Sequence, residues 1–432
     1  MTAGESLALQ NELVSPRPSQ VTERMKVSAS LQCFIAALIL TLAQIVIAVC
    51  VVAPPEWPLS DRYASLIQHD GHWFANIVNR GYGTTVPPMD HKVMEVSNVA
   101  FFPAYPLLSM LVGSIFHLPA HRALLVTAQL AALGFWFYFF LFCERWRLSP
   151  TLRFFGAVAI VAHPAAFYLI AGYSESLFLM SLVGFIYWSS AEGAAAKILA
   201  ALHGFVMSAT RIVGIPCALF PIVRAVFEGG WNGLRDVRGW IRRYGPAVAL
   251  SFAAMLGAIT FFIYCQLRWS RWDMYMLTQQ VEWAIKPDYL AFFKPASYRW
   301  MLPPLNDPTL QSQLTTSIAL VIFGVVALCE LLPAIWRRTA FLTRLGLYFC
   351  ALVIFYISLA GVASVQMESM LRYEFCTHAL IVLALLHYLH QFRLPPVLVR
   401  AFGMAAVALL GAAGLSLQGW YVWNFTRGNW IA

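Results

Sequence analysis

Apolar runs of about 20 residues recur from Leu31 to Trp420 with no polar soluble module between them, the length an α-helix needs to cross a bilayer. In lipid every backbone N–H and C=O must be paired inside the segment, so such runs fold as helices rather than as an open sheet. The charged fraction agrees, at 11% of 432 residues against about a quarter in soluble globular chains. The expected fold is an all-α polytopic membrane protein. One membrane domain covers residues 31–420, between a cytoplasmic tail (1–30) and an extracytoplasmic tail (421–432). The first apolar stretch, Leu31 to Ala53, exceeds a signal-peptide core and reads as a retained helix.

About eleven spans are expected, near 31–53, 122–143, 152–170, 174–190, 197–210, 212–227, 246–265, 314–333, 346–364, 373–390 and 401–420. The stretch Phe101–Leu118 is also apolar, but counting it as a span would put Arg145, Arg147 and Arg153 outside, against the positive-inside rule. An interfacial or re-entrant helix is expected there instead. With an inside N-terminus, Arg145, Arg147, Lys197, the run Arg224 to Arg243 (which reads as an amphipathic surface segment from Gly229-Gly230-Trp231), Arg337, Arg338, Arg344, Arg393 and Arg400 all face the cytoplasm. The same parity leaves four polar segments outside: 54–121, Tyr173-Ser174-Glu175-Ser176, about 266–313, and Val365 to Arg372. The net charge of +9 is thus spent on topology, and nucleic acid is not an expected partner. The eight cysteines form no CxxC pair or Cys/His metal spacing and read as small hydrophobes.

In the first outer segment, His69-Asp70-Gly71-His72-Trp73-Phe74-Ala75-Asn76-Ile77 places Trp73, Phe74 and Ile77 on one helical face, which can lie on the membrane. Asp70 stands where an N-cap would, with Gly81 near the helix end. A carboxylate at a membrane surface beside His69 and His72 can also take a proton from a hydroxyl, which makes Asp70 a candidate general base.

Three motifs in order, Asp70-x-x-Trp73-Phe74-x-x-Ile77-x-x-x-Gly81-Tyr82, Phe101-Phe102-Pro103-Ala104-Tyr105-Pro106, and Tyr173-Ser174-Glu175-Ser176-Leu177-Phe178, resemble the mannosyltransferase family that adds the second mannose of the GPI anchor, including its bacterial homologues. The resemblance extends to Thr210-Arg211-x-x-Gly214, Asp273 to Gln280-x-x-Trp283, and Leu371-Arg372-Tyr373. It implies a GT-C glycosyltransferase architecture and a polyprenyl-phosphate sugar donor. It also implies an acidic residue in the first outer loop, with Asp70 at the matching position. Reaction would then invert the anomeric configuration. His69 stands where many members carry tryptophan.

A lipid-phosphate leaving group needs electrostatic stabilisation, and Arg372 lies in a family-like motif. Arg268, Arg271, Lys286, Lys294 and Arg299 could serve too, although contact with anionic headgroups is the favoured reading for most of them. Tyr373 could position phosphate or sugar, or simply sit at the interface as tyrosines do. Glu175 heads an apolar helix, where an acid suits the helix dipole and could also bind sugar hydroxyls. Arg211 lies in an apolar stretch, which marks an ionisable functional candidate unless it snorkels. Glu368 and Arg372 have the spacing of a local ion pair. With His69, His72, Trp73, Tyr173 and Gln280, these form the expected substrate- and donor-binding set around Asp70. No cofactor or metal is expected, since His69 and His72 lack a partner ligand set.

The expected activity is transfer of a hexose, mannose by resemblance, from the polyprenyl-phosphate donor to a lipid-linked or surface glycan. The site would face the periplasm from a bacterial inner membrane, or the lumen of the endoplasmic reticulum in a eukaryote. A lipid-sugar flippase and a non-catalytic scaffold are the alternatives. The tail Trp420 to Trp430 reads as an outer-interface aromatic belt containing the sequon Asn424-Phe425-Thr426.

Overall fold

A computed structural model describes residues 18–83, 97–229, 237–298, 308–331, 338–391 and 396–431. Trp231, Arg299, Arg337 and Arg393, named above, lie outside these ranges, as does much of the proposed amphipathic segment. Among the described residues the chain is all-helical and multi-spanning, with seven helices long and apolar enough to cross a membrane.

In chain order the helices are α1 Pro18–Val46, α2 Leu59–Ala64, α3 Asp70–Arg80, α4 Ala104–Phe116, α5 Ala120–Arg145 and α6 Pro150–Val161. There follow α7 Glu175–Ser189, α8 Ala194–Thr210, α9 Gly214–Cys217, α10 Phe220–Gly229, α11 Val237–Trp269 and α12 Met274–Glu282. The last are α13 Pro308–Glu330, α14 Arg338–Val362, α15 Met370–Gln391, α16 Pro396–Ala406 and α17 Ala412–Thr426. The long candidates are α1, α5, α11, α13, α14, α15 and the α16–α17 run. Four expected spans are too short to join these seven or are broken. α6 stops at Val161 before a 3-10 turn at Ala166–Leu169, α7 and α8 have 15 and 17 residues, and the 212–227 run splits into α9 and α10. The 13-residue α4 is also too short to cross, in line with the interfacial reading.

Glycines set the close contacts that position the end of α8. A Cβ on Gly204 would fall 2.4 Å from Ala254 Cβ, and one on Gly257 would fall 2.0 Å from Phe205 O. Only glycine therefore lets α8 and α11 touch. Ser208 bridges them, donating to Ala254 O at 2.6 Å and accepting from Ala258 N at 3.2 Å. This contact anchors the end of α8, where Arg211 emerges.

Two expectations about α3 change. Asp70 is the first helical residue rather than its cap; His69 holds the cap position, at φ 47°. Trp73, Phe74 and Ile77 do not face lipid but are buried in the protein, at 6%, 4% and 1% exposure. An amphipathic pattern identifies a face that leaves water without saying whether lipid or protein receives it. The tail also differs. α17 continues to Thr426, and Tyr421 and Phe425 are buried, so only Trp423 and Trp430 remain as exposed belt tryptophans.

Candidate active site

The four polar segments expected outside converge at one end of the bundle, and local backbone features explain how. Gly172 N donates to Leu66 O at 2.9 Å, tying the turn before α7 to the loop before α3. A Cβ on Gly71 would sit 3.2 Å from Gly172 O, so the two turns pack backbone to backbone. Before α15, Gln366, Met367 and Ser369 all have positive φ (58°, 66° and 67°). Such conformations in non-glycine residues are costly and gather at functional sites. Here they form a tight turn that delivers Arg372 from the start of α15 back into the bundle.

At the centre lie four charged side chains. Arg372 Nη1 donates to Asp70 Oδ2 at 2.6 Å and its Nε lies 3.2 Å from Glu175 Oε1. Arg211 Nη1 donates to the same Glu175 oxygen at 3.2 Å. Glu175 is 1% exposed and Arg372 8%, whereas Asp70 keeps 20%. Two carboxylates balance two guanidiniums, so the cluster is neutral overall. Breaking one partner of a buried pair costs about 3–5 kcal/mol, because the other charge is left uncompensated. Glu175 Oε2 is buried with no hydrogen-bond partner. Aromatic rings surround the cations. Tyr168, Tyr173 and Tyr373 stand 5.7, 5.2 and 5.0 Å from the Arg372 guanidinium, and Tyr373 lies 4.9 Å from that of Arg211.

These groups open into a cavity of about 470 Å3 lined by Asp70, Tyr173, Glu175, Arg211, Gln280, Arg372 and Tyr373. Its lining also includes apolar side chains, among them Ile354, Ile357 and Val362 of α14 and Ile285 and Pro287 of the second loop. The cavity thus joins a polar, charge-balanced head to a hydrophobic flank, as an amphiphilic ligand requires.

The remaining expected residues are elsewhere. His69 points to the tail, its Nε2 donating to Asn429 O at 3.1 Å with its ring 4.8 Å from Trp430. His72 is exposed on the outer face of α3. Trp73 is buried behind the cavity wall, 6.0 Å from Phe101 and 5.6 Å from Trp283. Glu368 does not line the cavity; Arg372 pairs instead with Asp70 and Glu175, because the positive-φ turn breaks the helical register that the four-residue spacing assumed. Of the outer cations, Arg271 pairs with Asp273 at 2.9 Å and Lys294 with Asp288.

Sequence reasoning missed Tyr275 and Gln279, which line the cavity from α12. Their own four-residue spacing was the available signal, since residues three or four apart share one side of a helix. It also missed a group with metal-ligand composition, His163, Glu374 and His378, whose donor atoms lie within 4.8 Å of one another. His163 Nε2 lies 2.9 Å from Glu374 Oε2, while its Nδ1 accepts from Ala165 N at 3.1 Å. That backbone contact places the ring proton on Nε2, where it is donated to Glu374. His378 Nε2 donates to Ala159 O at 3.0 Å, leaving its Nδ1 as the free ring nitrogen. The set therefore reads first as a buried hydrogen-bond network.

No protein-family model and no curated relative matches the chain. Among solved structures it is similar to the oligosaccharyltransferase of Archaeoglobus fulgidus in its apo form, at 12% identity and a TM-score of 0.49, over 93% of this chain and 56% of that one. It is also similar to the archaeal oligosaccharyltransferase AglB from the same organism in complex with an inhibitory peptide and a dolichol-phosphate, at 13% identity and a TM-score of 0.48, over the same shares of each chain. The chain spans about half the length of the solved structures it matches.

Proposed function

We propose that the chain is a membrane glycosyltransferase of GT-C architecture. In this reading it moves a hexose, mannose by the motif resemblance, from a polyprenyl-phosphate donor to a hydroxyl of a lipid-linked or surface glycan. One observation carries this reading: a single cavity presents a partly exposed carboxylate, two guanidiniums and an apolar flank.

In the proposed reaction the acceptor hydroxyl oxygen attacks the anomeric carbon while the bond from that carbon to the phosphate oxygen breaks. The bonding pair leaves with the phosphate, whose charge Arg372 and Arg211 stabilise. The hydroxyl proton passes to Asp70, and attack opposite the leaving group inverts configuration. Asp70 is held by Arg372 before substrate arrives. An entering phosphate competes for that guanidinium and frees the carboxylate, so donor binding itself prepares the base. The unpartnered Glu175 Oε2 suits a sugar hydroxyl, and Ile354, Ile357 and Val362 suit the polyprenyl chain. No cofactor enters the scheme, and the site would face the periplasm of a bacterial inner membrane.

The test is a mass-spectrometric comparison of glycolipids and surface glycans from cells with and without the gene, paired with transfer assays of the purified protein using labelled polyprenyl-phosphate mannose. Loss of one hexose from a defined glycan, restored by the purified protein and donor, is the expected result. Unchanged glycans, or donor movement across liposomes with no glycosidic product, would contradict it and favour a flippase.

A further inference from the structure

We infer that the segment Gly428–Ile431 is a clasp that positions the proposed base by holding His69, the residue before Asp70, in an otherwise unfavourable backbone conformation. The catalytic consequence rests on the transferase reading above; the clasp itself does not.

His69 has φ 47° and ψ −109° and makes no side-chain capping bond to the helix it precedes. Residues with a Cβ are rare in this region and persist only where their surroundings over-determine them. Here those surroundings come from a segment 360 positions away in sequence: Asn429 O accepts from the His69 ring at 3.1 Å. Trp430 and Phe425 meet the ring edge-on at 4.8 and 6.0 Å. The backbone at His69 sets the direction in which Asp70 leaves the first turn of α3, and with it the reach of its carboxylate toward Arg372.

The clasp is itself well specified. After α17 the chain turns back through Gly428, at φ 78°, a conformation glycine adopts freely. Gly428 N donates to Phe425 O at 2.9 Å, and Asn429 donates twice to Asn424, from its backbone N to the carbonyl and from Nδ2 to Oδ1, each at 3.1 Å. Ile431, 3% exposed, then anchors in the main core. The last turn of α17, from which the clasp leaves, reaches the other half of the ion pair. Phe425 lies 5.8 Å from Tyr173 and 5.9 Å from Tyr168, the two rings beside the Arg372 guanidinium. The end of α17 and the clasp that follows it together contact the supports of both Asp70 and Arg372. Because His69 does not line the cavity, it acts through Asp70 and is a positioning residue.

The experiment compares the full chain with His69→Ala, His69→Gln, a deletion of residues 428–432, and the His69→Ala deletion double variant, all purified in detergent. Amide hydrogen exchange over residues 66–74 should rise about tenfold in His69→Ala and in the deletion, and no further in the double variant, since both remove one contact. His69→Gln, which places an amide N–H near the imidazole Nε2 position, should restore protection. With labelled polyprenyl-phosphate mannose, kcat should fall roughly 10- to 100-fold in the unprotected variants at unchanged donor KM, the signature of a displaced catalytic group. Unchanged exchange in the deletion, or effects that simply add, would overturn the clasp. Coupled exchange in a protein that transfers no sugar would sustain the clasp and contradict the transferase reading instead.

Discussion

Replacing Glu175 by glutamine gives two effects of opposite sign. The Glu175 carboxylate is 1% exposed, and one of its oxygens serves both Arg211 and Arg372. Glutamine keeps the shape and an acceptor oxygen but turns a neutral cluster of two anions and two cations into one of net charge +1. At a separation of about 5 Å and an effective dielectric of about 20, one unit charge is worth about 3 kcal/mol. The empty protein should lose about that much stability, because a guanidinium is left buried without its counter-charge. An anionic ligand should gain the same amount, about a hundredfold in affinity, since the released cation is free to meet it. Thermal unfolding in detergent with and without added polyprenyl phosphate reads both effects. The variant should melt below the natural protein when empty and gain more from the lipid. A variant that is destabilised yet binds the lipid more weakly would refute the claim that the arginines hold phosphate.

Three further outcomes follow from the same geometry. Arg372→Lys keeps the charge but replaces a guanidinium that donates to Asp70 and Tyr373 and lies 3.2 Å from Glu175 by one ammonium; single-turnover transfer should slow about 10²- to 10³-fold, the usual cost of removing one oriented donor. Burial pushes the Glu282 carboxyl from 4.5 up to about 7, so its contribution to folding is complete below pH 4.5 and is lost as pH rises through about 7; melting temperature should fall across that window and flatten in Glu282→Gln. Added zinc should leave the melting temperature unchanged, because Ala165 N occupies the His163 Nδ1 and directs the Nε2 proton to Glu374; a zinc-dependent rise abolished by His378→Ala would show that the three side chains form a metal site.

Hydropathy made the long helices legible, because spanning imposes a length that few other structures share. It failed where a span is short or interrupted. The 212–227 run reads as one apolar segment, yet the chain breaks between Cys217 and Phe220. Within the site, Asp70, Glu175, Arg211, Arg372 and Tyr373 were accessible from sequence as polar residues beside apolar stretches on one side of the expected topology, whereas Tyr173 and Gln280 entered through the motif resemblance. Which of them pair was not accessible. The four-residue spacing of Glu368 and Arg372 pointed to a local contact, whereas the observed partners, Asp70 and Glu175, lie 302 residues away along the chain in one case and depend on packing between turns in both. His69 was assigned to substrate by its neighbour, and its actual partners, near the other end of the chain, carry no periodic signal.

The central claim, that Asp70 takes the acceptor's proton, is tested most directly by single-turnover transfer from labelled polyprenyl-phosphate mannose in Asp70→Asn. Asparagine preserves an oxygen for Arg372 and removes the basicity, so the variant should fold, bind polyprenyl phosphate, and transfer sugar about 10²- to 10⁴-fold more slowly. Transfer at the natural rate by a folded Asp70→Asn protein would contradict the account.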